Sequence, residues 1–393
     1  MNNFTYFAPT KIEFGLGAQK KVGKLLKEFG AKKVLIHFGG QSAKKSGLID
    51  EVETLLKSEG IEYVEFGGVK PNPRLCDVYR GAEICKNENI DFLLAVGGGS
   101  VIDSAKAIAL AIANPDCDVW DFYTTSKTPK ACAPLGVILT MAAAGSEMSE
   151  ASVITKDEGQ LKRAINNDLV RAKFSILNPE LTLTLPDYQT QSGCADILLH
   201  TLERYFKNTE SFELTDSIAE ALMRTVIANA KILHENPQDL NARAEIMWAS
   251  TLSHNNITGD RTKGDWSCHA LEHELSGIFD VAHGAGLAAI WSTWAKYVLP
   301  ENPKRFARLA VNVAGVENNA SDPVSTALKG IEKFEEFFAS VGMPTRISHL
   351  GIEINEDLAS LLAKKCSNGG TQKIGKFRPL DESDMKQIYL NAK

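Results

Sequence analysis

The segment FLLAVGGGSVIDSAKAIALAIA, residues 92–113, decides the fold. Its first five residues, Phe92–Val96, form an apolar run with no polar alternation. Three glycines and Ser100 end that run, and Ile102–Ala113 continues with apolar residues at helical spacing. A short continuous apolar run is what a strand covered on both faces requires. Its passage through a glycine turn into a helix is half of a βαβ unit. The same alternation recurs on either side. Lys33–Phe38 (KVLIHF) reads as a strand ending in Gly39-Gly40, Ile49–Ser58 as a helix and Tyr63–Phe66 as a strand. Val78–Glu88 reads as a helix and Leu135–Leu139 as a strand. Strands alternating with helices predict an α/β domain built on a parallel sheet.

Beyond about Pro179 the pattern becomes helical. Helices are predicted at Gln191–Phe206, Glu213–His234, Asn241–Asn255, Lys263–Ser276, Leu287–Tyr297, Pro303–Val313 and Pro323–Val341. Prolines at 186, 237, 300, 323 and 344 punctuate them, as residues that cannot continue a helix do. Two domains are therefore expected: residues 1–186, α/β, and residues 187–393, all-helical. A length of 393 residues fits two domains on the usual ~100–200 residues each.

Composition narrows the class of function. The net charge of -6 and the lack of a dense Lys/Arg block argue against a nucleic-acid surface. No apolar window is long enough for a spanning helix, and the N-terminus lacks the basic-then-apolar layout of a secretory signal. The seven cysteines are scattered, odd in number and free of C-x-x-C spacing. They fit reduced thiols in a cytoplasm better than a disulfide frame.

The loop Gly97-Gly98-Gly99-Ser100 has the chemistry of an anion cradle. Glycines let the backbone approach a diphosphate, and the N–H groups at a helix start favour anionic oxygens. It is neither G-x-G-x-x-G nor a P-loop. The plainer alternative is a strand-to-helix turn with Ser100 as the cap. Asp103 is either an acid suited to the helix start or an acceptor for a ligand. At the end of the first strand, Gly39, Gly40 and Ser42 stand where dinucleotide folds place an acid for the ribose hydroxyls. With Lys44 and Lys45 just beyond, they leave room and positive charge for a 2′-phosphate, which favours NADP(H) over NAD(H).

In the helical half, Asp196 and His200 stand four apart in CADILLH, one turn apart on a single helix face. Three of the eight histidines, His269, His273 and His283, fall within fifteen residues further on. Imidazoles with one carboxylate suit zinc or ferrous iron, not calcium or magnesium. Such an ion polarises a carbonyl or alkoxide oxygen. Spacing alone leaves open whether Asp196 meets the later histidines, and a lone D-x-x-x-H occurs often on ordinary helices.

Longer motifs carry a resemblance. PTKIEFGLGA near the N-terminus, VKPNP at 69–73, GGGSVIDSAK at 97–106 and CHALEHELSG…AHGAGLA together resemble the iron-dependent, or group III, alcohol dehydrogenases. The likeness is nearest to the NADPH-dependent butanol dehydrogenase and aldehyde reductase branch. The resemblance implies a Rossmann-like N-terminal domain, a helical metal domain with the active site in the cleft between them, and a homodimer, joined through an edge strand at Lys11–Phe14. It implies Asp196, His200, His269 and His283 as ligands of one Fe2+ or Zn2+. It sets His273 beside the nicotinamide, as proton donor or as a group bracing its neighbours. It gives Gly97, Gly98, Gly99, Ser100, Asp103, Thr140, Lys162 and Asn72 cofactor contacts, with Gly40 where NAD-using members carry aspartate. One departure concerns residues 140–147, Thr-Met-Ala-Ala-Ala-Gly-Ser-Glu. Alanines there replace small hydroxyl residues of the family's loop, which bears on cofactor affinity. Short-chain aliphatic aldehydes and alcohols are the implied substrates, and Trp266, Trp291, Trp294 and Phe279 are candidates for an apolar pocket. Glycerol dehydrogenases and dehydroquinate synthases share the fold and are the competing classes; the latter would need more basic groups than Lys263 supplies.

Overall fold

The computed structural model describes residues 3–208 and 212–393. The chain forms two compact units: Phe7–Thr184, and Leu185–Lys393 with the described N-terminal residues up to Tyr6.

The first unit runs β1 (Lys11–Phe14), α1 (Val22–Glu28), β2 (Lys33–Phe38), α2 (Ser42–Lys45), α3 (Leu48–Ser58), β3 (Glu62–Phe66) and α4 (Leu75–Asn87). It continues with β4 (Phe92–Gly97), α5 (Gly99–Ala113), α6 (Asp121–Thr124), β5 (Leu135–Leu139), β6 (Ala151–Lys156), β7 (Leu161–Asn166) and β8 (Phe174–Leu177). Six strands make one sheet in the order β1-β8-β5-β4-β2-β3, and every pair in it is parallel. Val34, Ile36, Leu94, Val96, Ile138 and Ile176 point to one face and are buried with Val22, Leu26, Ile49 and Val52 of α1 and α3. The alternate residues Leu35, Leu93, Ala95 and Val137 are buried too. That two-sided cover explains the unbroken apolar runs.

Three strands were not legible as such. β6 and β7 form an antiparallel hairpin from a stretch with no strict alternation. β8 is only four residues long. The strand at Lys11–Phe14 is present and pairs β8 at the sheet edge.

The second unit comprises α7 (Asp187–Tyr205), α8 (Glu213–Glu235), α9 (Leu240–Ser253), α10 (Ser267–Phe279), α11 (His283–Val298), α12 (Pro303–Asn312), α13 (Pro323–Ser340), α14 (Glu356–Cys366) and α15 (Glu382–Asn391). The last two helices had no counterpart among the predicted ones. α7 is its hub: every residue from Thr190 to Tyr205 is buried, so polar groups on it are set inside the fold. Trp291 and Trp294 are core residues, packed on Phe334 at 4.9 Å and Phe206 at 5.4 Å between ring centroids. That placement removes them from a substrate pocket. The helix predicted over Lys263–Ser276 is split by a turn: Trp266 has φ 67 and only Ser267–Phe279 is α-helical.

Candidate active site

Within the helical unit, Asp196, His200, His269 and His283 converge, with one donor atom from each lying within 4.8 Å of all the others. α7 brings Asp196 and His200, α10 brings His269, and α11 opens with His283. Oδ1 of Asp196 lies 3.3 Å from His200 Nε2 and 3.8 Å from His283 Nε2. The rings of His200 and His269 stand 4.5 Å apart. Burial, and then the neighbouring cationic groups with His254 first, push His200 well below its usual value, so its imidazole is neutral and able to offer a lone pair.

The cluster depends on close helix contacts. A Cβ on Gly284 would meet the carbonyl oxygen of Ser192 at 1.9 Å, and one on Gly286 would meet Glu272 Cγ at 2.8 Å. The glycines of H-G-A-G thus let α11 approach α7 and leave room for a carboxylate from α10.

Two acids missed in the sequence hold the histidines. Glu203 follows Asp196 and His200 on α7 at the i+7 position, on the same face. It accepts from the backbone N–H of Trp266 and, at 3.1 Å, of His269, capping α10 from another helix. Its Oε1 also lies 3.2 Å from His269 Nδ1. Burial raises its carboxyl to about 7 against those donors. Glu272, on α10, hydrogen-bonds His283 Nδ1 and takes the Ser276 hydroxyl. Glu203 was detectable as the next acid on the face that carries Asp196 and His200, and Glu272 as the acid of LEHEL three residues after His269. His273 is half-buried, its ring 5.7 Å from that of His283. His254, also missed, packs 4.1 Å from the His200 ring. Of the aromatic candidates, Trp266 lies beside the cluster, 5.2 Å from His269, and Phe279 is 38% exposed.

In the α/β unit the glycine loop lies at the carboxyl end of β4, where open parallel sheets hold ligands. Gly97 ends β4, Gly98 is the N-terminal cap of α5, and Gly99 and Ser100 lie in its first turn, with no side-chain cap. Ser100 is therefore inside the helix and does not cap it, which corrects that expectation; Gly98 takes the extended cap conformation. Thr140 donates its backbone N–H to Gly97 at 3.0 Å. Gly39 closes against the same helix turn: a Cβ there would lie 3.6 Å from Val101 Cγ2. Asn72 is buried with φ 52. The adjoining Pro73 accepts from Thr155, which pairs with Lys162.

Asp103 turns inward: its carboxylate accepts from Ser146 Oγ at 2.6 Å and the Val153 N–H at 3.0 Å. Lys106, one turn on and fully buried, donates to the carbonyls of Ser146, Ser149 and Ala151 at 2.7–3.0 Å. Burial holds its amine down at about 8. These two side chains pin residues 146–153 to α5. Lys106 was visible in the sequence as the one charge in the small-residue and apolar stretch Ser104–Ala113. Gly40 and Ser42 are exposed beyond β2. Lys44 is paired with Glu65 and sits over the Phe38 ring, so it is committed within the fold.

A parallel nucleotide-type sheet, a glycine loop at its carboxyl edge and a helical unit carrying a three-histidine, one-aspartate cluster define an oxidoreductase architecture. Residues 9–179 match the model of the iron-containing alcohol dehydrogenases, and residues 190–393 match that of the Fe-containing alcohol dehydrogenase family, C-terminal. The chain belongs to the iron-containing alcohol dehydrogenase family, and is an oxidoreductase acting on alcohol–aldehyde pairs. It is 40% identical to NADH-dependent butanol dehydrogenase A of Clostridium acetobutylicum over 100% of both chains. It is 32% identical to the NADPH-dependent aldehyde reductase YqhD of Escherichia coli, again over 100% of both. The crystal structure of NADH-dependent butanol dehydrogenase A from Thermotoga maritima superposes with a TM-score of 0.95, at 38% identity, covering 100% of this chain and 99% of that one. Among the described residues no helix is long and apolar enough to cross a membrane.

Proposed function

We propose that the chain interconverts short primary alcohols and aldehydes, butanol and butanal among them, using a nicotinamide dinucleotide and one divalent ion, Fe2+ or Zn2+. The convergence of Asp196, His200, His269 and His283 within 4.8 Å carries this reading. Three imidazoles and a carboxylate are a donor set that both ions accept. When bound, the ion polarises the carbonyl oxygen and the nicotinamide supplies the hydride. The protein's part is positional. The four side chains hold the ion, and the glycine loop with Thr140 receives the diphosphate at the start of α5. Asp103 and Lys106 keep the adjoining 146–153 strand start in place. Asn72 and Lys162 are assigned to the cofactor with them. His273 is assigned the proton transfer, since an imidazole titrates close to the operating pH.

NADP(H) is favoured because Gly40 presents no carboxylate to a 2′-phosphate, with Lys45 exposed nearby. Lys44, held by Glu65, lends this no support. The Clostridium and Thermotoga relatives are NADH-dependent by name, so the selectivity is expected to be modest. A homodimer is the proposed assembly: β1 is an edge strand with Phe14 exposed, as is Leu16 just beyond its end. The seven free thiols favour a reducing compartment, the cytoplasm. Following the reduced-nicotinamide absorbance with butanal, for NADPH and NADH in parallel, tests the reading. Turnover with either supports it, and binding of cofactor with no turnover of any aldehyde contradicts it.

A further inference from the structure

We propose that Glu203 and Glu272 are paired positioning residues, each fixing one imidazole of the cluster with hydrogen on Nδ1 and the Nε2 lone pair turned inward. The inference deepens the metal reading and rests on it for its binding arm. Glu203 Oε1 is 3.2 Å from His269 Nδ1, and Glu272 Oε2 is bonded to His283 Nδ1. Glu203 accepts a backbone N–H at each of its oxygens and Glu272 accepts the Ser276 hydroxyl; toward a carboxylate acting as an acceptor the ring nitrogen carries the hydrogen. The opposite nitrogen then holds the lone pair. For His283 that nitrogen, Nε2, faces Asp196 Oδ1 at 3.8 Å, the same oxygen that His200 Nε2 approaches at 3.3 Å.

Each acid is itself held. Glu203 is anchored by the N–H groups of Trp266 and His269, and Glu272 by Ser276, with Gly286 clearing its space. Both side chains are almost wholly buried, at 2% and 0% exposure. Capping α10 accounts for the two N–H groups that Glu203 accepts, and packing against Gly286 for the shape of Glu272; neither accounts for the imidazole that faces each acid. A carboxylate acceptor at both places, each against an imidazole of the same cluster, is what ligand orientation requires: such outer carboxylates fix the tautomer and raise the basicity of the ligand. Among the described residues, His200 Nδ1 meets no acceptor, so the device serves the histidines of α10 and α11.

Glu203→Gln and Glu272→Gln keep the shape and one acceptor oxygen while replacing the other with an NH2 donor. Zn2+ affinity of the metal-free proteins, read by competition with a chromophoric chelator, is expected to weaken ~10–100-fold for each. Unchanged Zn2+ affinity with a lowered melting temperature makes the acids structural and overturns the proposal. The second measurement needs no variant: nitrogen-15 histidine-labelled wild type, with ring tautomers read from long-range proton–nitrogen correlations at mildly alkaline pH. Nδ1–H at His269 and His283 is expected, with or without Zn2+; Nε2–H at either overturns the pairing. Wild-type protein that takes up no Zn2+ sinks the metal reading alone, because the tautomers are still read in that sample.

Discussion

Gly284 and Ser192 touch backbone to backbone: a single added carbon on Gly284 would fall 1.9 Å from the Ser192 carbonyl oxygen. That contact sets the distance at which α11 passes α7, and so where His283 stands relative to Asp196. No side-chain rotation relieves a clash with a carbonyl oxygen. Gly284→Ala is expected to cost about 1–3 kcal/mol of stability, as overpacking does, and to release the metal. Melting temperature and metal content after dialysis check this together. A variant that keeps full metal content would show that the helices yield without disturbing the cluster.

The assigned roles separate two neighbouring histidines. His269→Ala removes a nitrogen from the cluster and is expected to lose metal and turnover together. His273→Ala should retain metal and lose rate by about 10²–10⁴-fold, the usual contribution of a placed proton donor. Metal analysis beside steady-state rates decides between them. Loss of metal on changing His273 would make it part of the ion's support.

Gly40 offers a test of cofactor choice. Nothing lies within 4 Å of a Cβ placed there, so Gly40→Asp should fold normally. A carboxylate at that point accepts ribose hydroxyls and repels a 2′-phosphate. The ratio of kcat/KM for NADH over NADPH is expected to rise at least about tenfold, equivalent to roughly 1.4 kcal/mol. An unchanged ratio would place the 2′ group elsewhere.

His37 is expected to make the α/β unit acid-labile. Its ring is buried between the Phe66 carbonyl oxygen at 2.8 Å and Ser104 Oγ at 2.9 Å, and burial lowers it to about 4. The unfolded chain has the ordinary value near 6.5. Between those values the unfolded state binds more protons, so stability is full above pH ~6.5 and falls as pH drops toward ~4. The loss amounts to roughly 3 kcal/mol over that window. Urea midpoints at several pH values should decline less in His37→Gln. Equal declines would assign the acid lability to other groups.

The parallel sheet was legible because strands covered on both faces must be apolar throughout, as in KVLIHF and FLLAV. The hairpin β6–β7 was not, because tertiary contacts hold it: Asp103 and Lys106 grip its start from α5. The metal-type side chains were legible by residue type and spacing, while their meeting in space rests on Gly284 and Gly286, whose role is a close approach no local pattern announces. The positions of Glu203 and Glu272 beside the histidines were visible, but their burial was not, because a buried acid and an exposed one look alike on a helix until its neighbours are known. Trp291 and Trp294 misled for the same reason, as aromatic residues fill cores more often than pockets.

The most direct test follows aldehyde-dependent oxidation of NADPH or NADH by one preparation as purified, after exhaustive chelation, and after stepwise return of Fe2+ or Zn2+. Turnover should vanish with the metal and return in proportion to ion bound, reaching its limit at one ion per chain. Undiminished turnover in metal-free protein would contradict a reaction centred on Asp196, His200, His269 and His283.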